Sequence, residues 1–217
     1  MAMQDRAVRT RRQLIRSAAE VFDRGGFAGS SVGQICARAG VSQGALHFHF
    51  RSKRALGEAV ESAAAQTLLR ITGQSPPSAH PAEAGASSPL QLLVDTSHAL
   101  AQGVACDPVL RAGFGLGSDA TWRSGVNLWR QWQDWVRWML TVARDQGSLA
   151  PDVVLDDAVS AITAMVAGLE VLGRSDSHWH SRQAVTPFWR LMLPRLAARA
   201  VQGRIDAAGS RDAVPCG

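Results

Sequence analysis

The sequence predicts an all-α protein, with an N-terminal three-helix head followed by a C-terminal helical bundle. Three observations carry this. Apolar residues recur at three- and four-residue spacing through most of the 217 residues. Ser, Gly and Pro sit where those periodic stretches begin and end. No stretch alternates apolar with polar residues, and no internal repeat is present, so neither a sheet nor a solenoid is indicated.

The elements follow in order. Residues 7–24 place Val8, Leu14, Ile15, Ala18, Ala19, Val21 and Phe22 on one helical face, ended by Gly25 and Gly26. Ser30-Ser31 can supply the N-cap of a short helix from Val32 to Arg38. Ala39-Gly40-Val41 is a tight turn, and Ser42 can cap the next short helix, to about His47. A fourth helix runs from Lys53 to about Thr72. Residues 73–89 are rich in Pro, Gly, Ser and Ala and predict a loop or linker. Helical patterning then covers 90–103, 108–116, 119–146, 152–173 and 181–203. The expected domains are 1–52, 53–203 and a frayed tail at 204–217.

Charge narrows the function classes. Residues 1–54 carry ten basic and three acidic side chains, a surplus of seven, whereas the whole chain has a net charge of +5. A basic head on a near-neutral body suits a polyanion binder. Lys53 is the only lysine. Cys36, Cys106 and Cys216 are odd in number and widely spaced, so reduced thiols are expected, with no disulfide framework and no metal site. No apolar run is long enough to span a membrane and the N-terminus lacks a signal-peptide pattern, so a cytoplasmic protein is expected. No nucleophile, metal-hydrolase or phosphate-loop signature appears, so an enzyme is not expected, and no cofactor is implied.

The segment SSVGQICARAGVSQGALHFHF, residues 30–50, has the form of a helix-turn-helix. Its second helix would present Ser42, Gln43, Gly44 and Ala45 to the major groove, with Gln43 reading base edges. Ser31 at a helix start, Lys53, His47, His49, and Arg9, Arg11 and Arg12 are the candidate phosphate contacts. Phe48 and Phe50 are read as packing anchors, and Cys36 as a small core residue.

From Arg9 through Leu56, with FDRGGF and then AGVSQGALHFHF, the head resembles the TetR family of bacterial regulators. That resemblance implies an all-α homodimer that binds a pseudo-palindromic duplex and senses a small molecule through its C-terminal bundle. His47 departs from the family pattern, in which a phosphate-contacting Tyr is common.

All seven tryptophans follow residue 121, and Trp129, Trp132, Trp135 and Trp138 are spaced by three. Each step rotates about −60° around a helix, so four of them sweep roughly half its circumference. Such a helix is either plain core or the wall of an aromatic cavity. DPVLRAGFGL, residues 107–116, and this Trp-rich helix resemble the γ-butyrolactone-receptor branch of the family, whose members answer diffusible lactone or furan signals and repress antibiotic-production genes. The resemblance implies that Trp132, or alternatively Trp129, stacks on the ligand. Gln131, Leu110, Phe114, Thr163, Met165 and Val166 are the other candidate wall residues. Ala161, Ala164, Gly168, Val171, Trp189 and Leu193 are the candidate dimer interface. A multidrug sensor and a DNA-binding pseudo-receptor without lactone response remain the alternatives.

Overall fold

The computed structural model describes residues 2–73 and 88–210, and these are helical with no strand beyond one isolated bridge, Leu149 to Ala197. The helices are α1 (Ala2–Gly25), α2 (Val32–Ala39), α3 (Gln43–His49), α4 (Lys53–Ile71), α5 (Pro89–Cys106), α6 (Pro108–Ser118), α7 (Leu128–Asp145), α8 (Leu155–Gly173) and α9 (Arg182–Leu196). Most of the linker predicted at 73–89 lies outside the described residues. Among the described residues no helix is long and apolar enough to cross a membrane.

The chain divides into two compact units, one of residues 1–68 with 107–128, the other of 69–106 with 129–217. This partition differs from the expected boundary at residue 52. The first unit needs α6 and the segment after it to close its core. Leu14, Phe22, Ile35, Leu46, Phe50, Leu56 and Val60 pack in one cluster with Ala112, Leu116 and Trp122. Arg111 on α6 pairs with Asp23 on α1 at 2.7 Å. The tip of the Trp122 ring lies against α4 at Gly57, where a Cβ would stand 2.6 Å from Cη2, so only glycine admits it.

Residues 119–127, read from sequence as the start of a long helix, are instead a loop. Asp119 turns the chain: its carboxylate accepts from the Thr121 hydroxyl at 2.6 Å, the Thr121 amide at 2.8 Å and the Phe27 amide at 3.0 Å. The Thr121 hydroxyl above all holds the Asp119 carboxyl below the usual carboxylate range, despite opposing desolvation. These local bonds compete with helix propagation, which is why apolar periodicity alone overran the boundary.

In the second unit α5, α8 and α9 pack together with the 3-10 turn Ser177–His180. Of the tail expected to fray, residues 211–217 lie outside the described residues. Residues 206–210 are held by α5 and α9, where Gln91 exchanges two bonds with the Asp206 backbone, Asp95 accepts from the Ser210 amide and hydroxyl, and Arg182 donates to the Ala208, Gly209 and Ser210 carbonyls. His98 meets the Ala207 carbonyl at 3.1 Å, and burial pushes its pKa down. α9 ends at Leu196, short of the predicted 203, and carries Pro187 and Pro194 inside it. Cys36 is a free, buried thiol, and Cys216 lies outside the described residues.

Candidate nucleic-acid interface and sensor site

The head builds its reading helix from local rules. Ser31 caps α2 by accepting from the Gln34 amide at 3.2 Å, and the Gln34 side chain accepts from the Ser31 amide at 2.8 Å, a reciprocal capping box. Gly40 ends α2 with φ +64°, a left-handed turn that favours glycine. Ser42 then caps α3, its hydroxyl accepting from the Ala45 amide at 3.2 Å. Ile35, Cys36, Ala39 and Leu46 are buried between the two helices.

What remains outside is a single face of α3. Gln43, Gly44, His47 and Phe48 are all exposed, at helical spacings of one, four and five. Ala45 and His49 are half-buried and Phe50 is buried. Arg9, Arg11, Arg12 and Arg51 are exposed in the same unit, and the Arg11 guanidinium sits 5.0 Å over the Phe50 ring. Phe50 is therefore an anchor, as read from sequence. Phe48 is not: it is 81% exposed, and its ring stands nearly perpendicular to the neighbouring His49 ring.

Two expected phosphate contacts are largely committed elsewhere. The Ser31 amide is taken by the Gln34 side chain. The Lys53 ammonium donates to the Phe27 and Ser30 carbonyls, both at 2.8 Å, and lies 4.4 Å over the Phe27 ring. It clips the α1–α2 loop to the start of α4, with one N–H left over. Sequence motifs mark such a lysine but do not reveal the carbonyls it holds.

The expected ligand residues separate between the units. Leu110 and Phe114 are buried in the first, with the head. Trp132, Gln131, Thr163, Met165 and Val166 belong to the second, with Trp129 half-exposed near the start of α7. Trp132 is fully buried and stacks on Trp135 at 5.2 Å, while Trp135 donates its indole N–H to the Thr72 carbonyl. Gln131 Oε1, Trp132 Nε1, Thr163 Oγ1 and Trp189 Nε1 are buried polar atoms with no hydrogen-bond partner among the described residues. They come from α7, α8 and α9, and none bears a charge. Trp189 is the one sequence reasoning placed elsewhere: it and Leu193 are buried within the protomer, so neither side chain is available to a dimer interface. Ala164 and Val171 are exposed, Ala161 and Gly168 partly so, and Leu172 on α8 and Leu191 on α9 are exposed as well.

A basic helix-turn-helix head with a separate helical unit defines a class of DNA-binding regulator, and the comparisons place this chain in it. Residues 14–60 match the family described as bacterial regulatory proteins, tetR family. The chain is 33% identical to the A-factor receptor protein of Streptomyces griseus, over 96% of this chain and 73% of that protein. It matches CprB of Streptomyces coelicolor, solved in complex with its biological operator sequence, with TM-score 0.75 and 26% identity over 92% of this chain and 94% of that one. A γ-butyrolactone receptor described as ArpA-like shares the fold, with TM-score 0.78 and 24% identity over 94% and 96% of the two chains. The chain belongs to the TetR family of bacterial transcriptional regulators. Within that family its relatives include proteins described as γ-butyrolactone receptors, and it is a DNA-binding regulator, not an enzyme.

Proposed function

We propose that this protein is a homodimeric repressor released from its operator by a small neutral signal of the γ-butyrolactone or furan type, controlling antibiotic or other secondary-metabolite genes and its own gene. The observation that carries the ligand reading is the set of four uncharged buried polar atoms without partners on α7, α8 and α9. A buried unpaired polar group costs roughly 1–3 kcal/mol, so a set of them in one helical unit fits a site completed by a ligand. Two indole N–H groups require acceptors, Gln131 Oε1 requires a donor, and Thr163 can serve either way. A lactone carbonyl with a hydroxyl supplies both. The set has no carboxylate to favour a cationic drug. The S. griseus relative is an A-factor receptor by name, which supports the same ligand class.

Dimerisation would cover Val171, Leu172 and Leu191, and two-fold symmetry makes the operator pseudo-palindromic, with half-sites about 34–36 Å apart or a multiple of this. The operator complex of CprB supports the duplex reading. α4 is continuous across the boundary between the units, so it is the covalent route by which a ligand-favoured state alters head spacing.

The test is titration of intrinsic Trp fluorescence with γ-butyrolactones, furans and cationic drugs, alongside gel shifts on the promoter of its own gene. A lactone or furan should quench the fluorescence and dissociate the complex, and Trp132→Ala should abolish the release while leaving DNA binding within about threefold. Response only to cationic drugs would favour a multidrug sensor, and DNA binding with no response to any of them a pseudo-receptor.

A further inference from the structure

Phe48 has the highest exposure among the large apolar side chains of the described residues, at 81%, and it lies on the reading face of α3. One exposed apolar side chain is ordinary by itself, so what matters is what lies over this face in the working state. Its neighbours say what that is. Gln43, Gly44 and His47 share its face, and exposed Arg11, Arg12 and Arg51 in the same unit give the surroundings a charge complementary to phosphate. Gly44 lies one turn before Phe48, and a Cβ there would meet nothing nearer than the Ser42 hydroxyl at 3.8 Å, so the helix surface beside the ring is low and open. The ring lies against that of His49, with centroids 5.1 Å apart and an interplanar angle of 85°, and it is not a member of the head's buried cluster.

We propose that Phe48 reads thymine. The apolar feature that base edges present in the major groove is the C5-methyl of thymine, and aromatic or small apolar side chains recognise it by contact. The Gln43 amide reads hydrogen-bonding edges, and Phe48 adds selectivity for a methyl at a neighbouring step. The operator half-site then contains a thymine whose methyl, not its O4, is the recognised group. This rests on the DNA-binding reading and adds to it a residue and a base atom.

The test uses the full-length chain and a duplex selected by it from a random library. Each thymine of the duplex is replaced in turn by uracil, which removes only the methyl, and affinity is measured by anisotropy. One position per half-site is expected to lose about three- to fivefold, the worth of one buried methyl. Phe48→Ala should bind more weakly, melt at the wild-type temperature, and show no uracil penalty at that position. Phe48→Leu should retain part of it. Uracil tolerated at every position, or an unchanged penalty in Phe48→Ala, overturns the proposal while the DNA-binding reading stands. A changed oligomeric state in Phe48→Ala with no uracil effect makes this face a protein interface and also overturns it. Failure to select any duplex overturns both readings.

Discussion

Replacing Lys53 with methionine is expected to lower the melting temperature of the protein by roughly 4–12 °C. Lys53 Nζ donates to two main-chain carbonyls, Phe27 and Ser30, and stacks over the Phe27 ring. Hydrogen bonds from a charged donor are worth about 1.5–3 kcal/mol each, and solvent screening at this half-buried ammonium discounts the pair to about 2–3 kcal/mol together. About 2–3 kcal/mol in a protein of this size corresponds to the stated shift. The loop it holds leads directly into Ser31 and the capping box of α2, so loosening it misplaces α2 and α3 together. Operator affinity should fall as a consequence. A salt titration separates this from a direct phosphate contact. A lost phosphate contact flattens the slope of log affinity against log salt by about 0.9, whereas a lost strut lowers affinity with the slope nearly unchanged. The strut result is expected. A full slope change with an unaltered melting temperature would return Lys53 to the phosphate contacts.

The same residue shows how legible the chain is. Its position after HFHFRS marks it in sequence as belonging to the head, yet sequence alone suggests a phosphate where the structure supplies carbonyls. Local chemistry was readable. The Ser31 and Ser42 caps, the Gly40 turn and the Gly25-Gly26 helix end follow from hydrogen-bonding and backbone rules that act over a few residues. Partners distant in sequence were not. Nothing in the periodicity of 119–127 shows that Asp119 reaches the Phe27 amide, or that Trp122 lies on Gly57 and draws residues 107–128 into the head unit. Exposure failed for a related reason. Phe48 and Phe50 are two residues apart on a short helix, and whether an aromatic there anchors or reads depends on which side its neighbours close. On α9, Trp189 and Leu193 have the apolar character of an interface, but the protomer consumes them and leaves Leu191 outside. At residues 206–210 a composition argument from Ala and Gly does not foresee Gln91, Asp95 and Arg182 gripping the backbone.

Glu61 yields the second large effect, and its sign follows from burial. Glu61 on α4 is 1% exposed, and neither carboxylate oxygen has a well-formed hydrogen bond. The Ser124 hydroxyl and the Trp122 indole are its polar neighbours and pull its pKa down, Glu58 pushes it up, and Arg54 pulls it down. Desolvation is the largest influence, so the carboxyl titrates above the ordinary glutamate value. A carboxyl raised in the folded state binds its proton more tightly there than in the unfolded chain. Below the unfolded value both states are protonated and Glu61 has no effect on stability through its charge. As pH rises from the ordinary value of 4.5 through the raised folded value, the unfolded state releases its proton first and the fold is progressively destabilised. Each pH unit over which only the unfolded carboxyl is ionised costs about 1.4 kcal/mol. Glu61→Gln removes the charge and keeps the shape. The variant should match wild type near pH 4.5 and become more stable than it toward pH 8, with a difference that grows and then levels. Glu58→Gln, at an exposed carboxylate on the same helix that pairs with Arg54, should give a much flatter difference. Thermal melts of the three proteins between pH 4.5 and 8.5 decide it. A Glu61→Gln advantage that is constant across that range would mean that packing, not ionisation, sets the cost. A disadvantage that grows with pH would mean that the folded protein supplies the ionised carboxylate with a partner.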